Sequence, residues 1–365
     1  LVASGWVPSD GVLGLTFTTK AAAGLLRSTR DTLRGLRAAG LVPATADDEV
    51  SGEPEVLTYN AFAARILRDH GIRIGREPGA RVLTDGARQQ LAYRVVCRTS
   101  LPLHDLGSAP ADVTGSLLQL DDQLSELDIS PERLVEHEDR AIARLDELEA
   151  GVGLQRTGEA LRETSRARRL LARLALEWRA EKAARDVLDF TDQTRLALEI
   201  VRRAPEVTAS LRAQYRAVLL DEYQDTSITQ RVMLQSLFGG GHAVTAVGDP
   251  CQAIYGWRGA SVDNIERFGE HFPVIHDGVE STPARYTLRS NRRSGPGILD
   301  VANVLSEGLR QRHTGVGALV AEARDKGPGI VRVGLFETSA QEHAWVVEEI
   351  ATSRPPKGLG QIAVL

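Results

Sequence analysis

Cysteine is almost missing from these 365 residues: Cys97 and Cys251 are the only two. Two thiols without a paired spacing exclude a disulfide scaffold and a cysteine-based zinc site, and they fit a reducing, cytoplasmic setting. Long apolar runs are missing too. Nothing approaches the roughly 20 residues of a membrane helix, and no signal peptide is visible, so no membrane partner is expected. Excess positive charge is also lacking. A net charge of -5 provides no global attraction for nucleic acid, so DNA binding would have to rely on a local groove. There is no internal repeat and no low-complexity tract. The chain starts at Leu1 without an initiator Met and stops at Leu365 inside an apolar run, which reads as a piece of something longer.

What remains is an ordinary globular composition, 42% hydrophobic and 25% charged, with length for two or three domains. One stretch, residues 218–261, organises it: VLLDEYQDTSITQRVMLQSLFGGGHAVTAVGDPCQAIYGWRGAS. An apolar run at 217–220 stops at Asp221 and Glu222. A helix follows, capped by Thr226 or Ser227, then three glycines, a second apolar run at 243–247, and Asp249. Strand, helix, strand is a crossover unit of a parallel sheet, whose chemistry gathers at the carboxyl ends of the strands. Asp221, Glu222, Asp249 and Gln252 should therefore converge on one edge.

Upstream, strands are expected at 12–17 and 55–59, with helices at 20–39 and 61–70, the second stopped by Gly71. From 71 to about 186 the pattern is helical, with turn-rich patches at 101–110 and 151–153. The arginines 166, 168, 169, 173 and 179 form either a solvated helix face or a nucleic-acid surface. A helix at 189–204 leads back to the central stretch. Beyond residue 273, strands are expected at 285–288, 329–336 and 362–365, with helices at 298–309 and 341–351. The fold class is α/β.

Paired acids at a strand end suit nucleotide hydrolysis: one carboxylate holds Mg²⁺, mostly through water, while its neighbour polarises the attacking water. The ordered combination DEYQD then AVGDPCQAIYGWRG resembles motifs II and III of the superfamily 1A DNA helicases, the UvrD/Rep/PcrA family. LTFTTKAA (15–22) resembles motif Ia, LTYNAF (57–62) motif Ib, and TLRSNRRS (287–294) motif IV, with Asn303 in the following helix. The arginine-rich NRRS form suggests an actinobacterial branch, the AdnB-like motor of a helicase–nuclease.

The resemblance implies a RecA-like motor domain at 1–70 and 186–275, a helical insert at 71–185, and the start of a second RecA-like domain at 283–365. It implies ATP and Mg²⁺ as cofactors, with Asp221 the metal ligand, Glu222 the general base, Gln252 the γ-phosphate contact and Arg293 an arginine finger. Arg292 stands where the family's adenine-stacking tyrosine is usual, and its guanidinium can stack as well. Phe17, Thr18, Tyr59, Asn60, Tyr255, Trp257 and Arg258 are the implied contacts to single-stranded DNA or a single/double-strand junction, since flat rings stack on any base. A nuclease or second motor subunit is the implied protein partner. The G-x-x-x-x-G-K-[ST] phosphate loop is absent: none of the four lysines precedes Ser or Thr. The family places that loop upstream, so this chain by itself is expected not to turn over ATP. The alternative is an ATPase-inactive module that only grips single-stranded DNA.

Overall fold

The computed structural model describes residues 1–41, 52–77, 79–106, 109–152, 156–313, 315–322, 327–353 and 358–364. They form two compact units, Leu1–Arg285 and Tyr286–Leu365.

The first unit opens with β1 (Val12–Thr16), α1 (Thr19–Ala38), β2 (Glu55–Thr58) and α2 (Tyr59–His70). Thr18 and Thr58 cap the two helices, each hydroxyl accepting the amide three residues on at 3.1 Å. The chain continues through β3 (Arg81–Val82), α3 (Asp85–Arg98), α4 (Pro110–Glu126), α5 (Pro131–Val152) and α6 (Arg156–Ala184). It returns through β4 (Val187–Leu188), α7 (Phe190–Arg203) and α8 (Pro205–Gln214) to β5 (Ala217–Leu220), α9 (Ile228–Phe238) and β6 (Val244–Ala246). Ser227, the second of the two expected caps, starts α9 in a reciprocal box with Gln230.

The main sheet runs β2-β1-β5-β6 with every pair parallel. Leu15 lies beside both Leu57 and Leu220, and Leu220 beside Ala246. The strand ends are thus level, and the loops after β1, β5 and β6 leave at one edge. Beneath it Leu13, Leu15, Val218 and Leu220 pack with Phe62, Tyr215, Met233 and Phe238 in one core. Helices α3, α4 and α6 build a second core around Trp178, Leu117 and Leu174.

A buried charge cluster joins the second core to α7. Lys182 on α6 lies 3.1 Å from Asp121, 2.8 Å from Asp189 and 2.7 Å from Asp192. Asp121 also takes the Trp178 indole N–H and Arg179, while Arg88 pairs with Asp122 and Asp189. The α6 arginines are accordingly divided. Arg179 is consumed in this cluster, Arg168 and Arg169 face Glu138 and Asp139 of α5, and Arg166 and Arg173 lie on the same helix. The turn expected at 151–153 is helix through Val152; residues 153–155, and 107–108 of the other expected turn, lie outside the described residues.

The second unit departs from expectation. Its parallel strand pair is Ser290–Asn291 with Val320–Ala321. No strand forms at 285–288, 329–336 or 362–364, and Leu365 lies outside the described residues. Alternating apolar residues become a strand only where a neighbour takes the backbone bonds and a surface takes one face. Among the described residues these segments have no pairing strand, and Leu335 is 99% exposed. The helix expected at 298–309 is two pieces, Pro296–Leu305 and Glu307–Arg312, broken where the Ser306 hydroxyl donates to the Ala302 carbonyl.

Candidate functional site

At the end of β5 the Asp221 amide donates to the Leu15 carbonyl at 2.8 Å. One Asp221 carboxylate oxygen accepts the Thr16 hydroxyl, from the end of β1, at 3.1 Å. The Asp221 backbone carbonyl accepts the Tyr59 hydroxyl, from the start of α2, at 2.8 Å. Burial, then the nearby Tyr223, Asp221 and Glu222, pushes the Tyr59 phenol well above its ordinary value, so it stays a donor. Two elements, β1 and α2, thus hold the acid at the end of β5 in place.

Glu222 follows with φ 51° and ψ 39°, in the left-handed region. That conformation costs an L-residue about 1–2 kcal/mol. The other described non-glycine residues with positive φ are aspartates (Asp128, Asp186 and Asp277), whose short side chains tolerate it. A glutamate held there is a strained position of the kind that clusters at working sites. Its kink lets the Tyr223 amide return to the Val247 carbonyl at 3.0 Å, while the Val247 amide donates to Leu220 at 2.7 Å. The end of β6 is therefore stitched to the acidic turn.

Gln224 lies buried between the two segments. Its Nε2 donates to Glu222 at 2.8 Å and, more weakly, to Asp225 at 3.3 Å; its Oε1 accepts the Asp249 amide at 3.2 Å. Asp249 caps the turn Pro250–Gln252 by accepting the Cys251 amide at 2.9 Å, and its other oxygen accepts Gln252 Nε2 at 2.7 Å. Asp221, Glu222, Asp249 and Gln252 are thus brought to one sheet edge. Asp225 behind them faces the Ile254 and Tyr255 amides, and burial raises its carboxyl above the usual range.

Past Gln252 an aromatic row begins. Phe17 stacks on Tyr255 with centroids 4.7 Å apart, and Tyr255 lies 6.4 Å from Trp257. Trp257 is 76% exposed, with the Arg258 guanidinium over its ring at 5.2 Å. The far side of this loop is pinned. Ala260 bridges Ser227, Ser261 donates to Thr226, and Asn264 donates to the Thr226 carbonyl at 2.8 Å. Gly259, at φ +76°, passes so close to Glu126 that a Cβ there would sit 2.5 Å from the glutamate's own. Burial raises the Glu126 carboxyl, against a bond to Ser227 and the charge of Arg258 that lower it.

The remaining expected residues divide. Thr18 is exposed but already caps α1, and Asn60 accepts Gln230 Nε2 at 2.9 Å. Tyr59, expected at the DNA surface, is 1% exposed, and its hydroxyl supports Asp221 instead; an aromatic ring in the first turn of α2 has the sheet core to fill. Arg292 and Arg293 belong to the second unit, after Ser290–Asn291, where Asn291 Oδ1 accepts the Arg293 and Ser294 amides at 2.9 Å. Arg292 faces Glu322 at 3.5 Å. Sequence reasoning missed Thr16, Gln224 and Glu126. The available signal was a polar residue inside an otherwise apolar or acidic motif, which marks a partner that only the fold identifies.

The acidic end offers hard oxygens: the Asp221 carboxylate beside the Thr16 hydroxyl. Among the described residues no group of three or more acidic, histidine or cysteine side chains could cage a metal. One carboxylate completed by water and phosphate is how Mg²⁺ is usually held, so the donor set suits that ion with a nucleotide. Among the described residues no helix is long and apolar enough to cross a membrane.

A family model described as "UvrD/REP helicase N-terminal domain" matches residues 1–273. The chain is 27% identical over 294 residues to the ATP-dependent DNA helicase PcrA of Leuconostoc citreum, covering 80% of this chain and 32% of that protein. It is 28% identical over 375 residues to the ATP-dependent DNA helicase UvrD2 of Mycobacterium tuberculosis, covering 100% of this chain and 46% of that protein. A shorter match, 38% over 121 residues, links 33% of the chain to 16% of DNA helicase II of Escherichia coli. The chain thus spans less than half the length of each of these relatives.

Proposed function

The chain belongs to the UvrD/Rep helicase N-terminal domain family, and from that membership we propose that it is the hydrolysis-and-coupling part of an ATP-driven motor that translocates 3′ to 5′ along single-stranded DNA and opens duplex at junctions. The observation that carries this reading is one connected path across the sheet edge. Thr16 bonds Asp221, the peptide link carries on to Glu222, and hydrogen bonds then run from Glu222 through Gln224 and Asp249 to Gln252, three residues before the stacked Tyr255.

Residues 1–70 and 186–275 serve as the first motor domain, 71–185 as its insert and 283–365 as the start of the second. Mg²⁺, when bound with ATP, would neutralise phosphate charge beside Asp221. Glu222 takes the proton of the attacking water, Gln252 contacts the γ-phosphate, and Arg293 contributes transition-state charge, with Arg292 against the base. Trp257 and Tyr255 stack on DNA bases, with Arg258 beside them. The arginine-rich sequence and the mycobacterial likeness favour an actinobacterial setting, and a nuclease or second motor subunit is the proposed partner.

The test is Glu222→Gln in the full-length natural protein. DNA-stimulated ATP hydrolysis should fall at least about 100-fold, the scale of a lost general base, while ATP binding persists. Retained hydrolysis would defeat the assignment. Unwinding of 3′-tailed but not 5′-tailed duplex checks polarity. The 365-residue chain alone should not hydrolyse ATP.

A further inference from the structure

Gln224 is 1% exposed, and no implied catalytic or DNA role accounts for it. A carboxamide has two donor hydrogens and one acceptor oxygen, and here the surroundings leave only one orientation. The Asp249 backbone N–H can only donate, so Oε1 faces that amide and Nε2 the side chains of Glu222 and Asp225. The reversed amide would set an N–H₂ donor against the Asp249 N–H donor. Space is arranged around this group. A Cβ at Gly248 would sit 2.5 Å from Gln224 Oε1, so no larger residue fits unless the carboxamide moves. One side chain therefore holds both the strained Glu222 and the first residue of the loop whose other end is Tyr255, Trp257 and Arg258.

We propose that Gln224 is a positioning residue that makes the pose of Glu222 depend on the pose of the 249–258 loop, so that DNA on the loop sets the geometry of the water-activating carboxylate. The inference rests on the motor reading above and deepens it. When the loop shifts, the Asp249 amide moves with it and draws Oε1, and the rigid carboxamide turns Nε2 relative to Glu222. A displacement of about 1 Å at a reacting group costs up to about 100-fold in rate.

The test compares Gln224→Met, of similar shape but without either bond, with Gln224→Glu, which keeps the acceptor for Asp249 but sets a carboxylate against Glu222. In the full-length protein, Gln224→Met should lower the kcat of DNA-stimulated ATP hydrolysis at least about tenfold, with the KM for ATP and the single-stranded DNA affinity held within about twofold. The ratio of DNA-stimulated to basal hydrolysis should collapse, which loss of packing alone would not cause. Gln224→Glu should lose kcat comparably. Hydrogen exchange on the 365-residue chain gives a readout independent of turnover: the Asp249 amide should exchange faster in Gln224→Met and stay protected in Gln224→Glu. Protection of β1 and β5 in the same experiment reports whether the sheet survives. If Gln224→Met loosens it, Gly248→Ala, which displaces the carboxamide and leaves the glutamine in place, carries the test with the same expected loss. A Gln224→Met protein with wild-type kcat and DNA stimulation would overturn the proposal. Glu222→Gln run alongside separates the two failures: if it too leaves hydrolysis intact, the motor reading falls, and if it alone abolishes hydrolysis, only the tether falls.

Discussion

At the scale of single residues, Trp257 and Tyr59 show how much depends on which way a ring faces. Trp257 lies open with an arginine over it, and Tyr59 is sealed in the core with its hydroxyl on the Asp221 carbonyl. An exposed ring offers a base about 1–3 kcal/mol of stacking. Trp257→Ala should therefore weaken single-stranded DNA binding about five- to 150-fold, read by fluorescence anisotropy with a labelled oligonucleotide. Unchanged affinity would remove Trp257 from the DNA contact. Tyr59→Phe should act on stability, by about 1 kcal/mol in urea unfolding, because it removes one buried hydrogen bond. A DNA affinity loss matching that of Trp257→Ala would return Tyr59 to the binding surface.

At the scale of elements, the cluster around Lys182 joins α4, α6 and α7. Removing one partner of a buried ion cluster leaves uncompensated charge and typically costs about 3–5 kcal/mol. Lys182→Ala should lower unfolding stability by that order, measured as a shift of the urea midpoint at unchanged slope. Asp192 adds a pH dependence. Burial alone would raise its carboxyl, but Lys182 and then Arg195 outweigh burial and hold it far below the ordinary range. A depressed folded value means stability that is fully present above the unfolded value, about 3.9, and lost as pH falls through the folded one. Urea unfolding between pH 5 and pH 3 should therefore steepen in acid for the natural chain and less so for Lys182→Ala. The elements themselves were largely legible. Threonine, serine and aspartate caps and apolar runs mark β1, α1, β2, α2, α7, β5 and α9, because caps and periodicity are local physics. The three strands expected in the second unit were not. Their alternation is real, but a strand also needs a neighbour, and that information is not local.

At the scale of the whole molecule, the two units differ in how much they bury. Leu1–Arg285 contains both cores, whereas Leu299 is the only buried hydrophobic residue described in Tyr286–Leu365. Resistance to proteolysis follows buried apolar packing. Limited chymotrypsin digestion should therefore leave a fragment close to residues 1–285 while the remainder is degraded, with early cutting near Tyr286 and Leu288, 87% and 80% exposed. Equal survival of both parts would contradict this.

The sequence by itself singled out the candidate residues: the acids at the end of β5, Gln252 on the next loop, the tryptophan beside an arginine. Their spacing implies a parallel crossover unit, since side-chain type and strand–helix–strand order are written locally. Only the tertiary structure decided how they are connected. That Thr16 holds Asp221, that Gln224 spans Glu222 and Asp249, and that Tyr59 faces inward depends on contacts between residues up to 205 positions apart. Hydrogen bonds across such distances exist only once β1, β5 and β6 lie side by side, and no pattern within one segment records them.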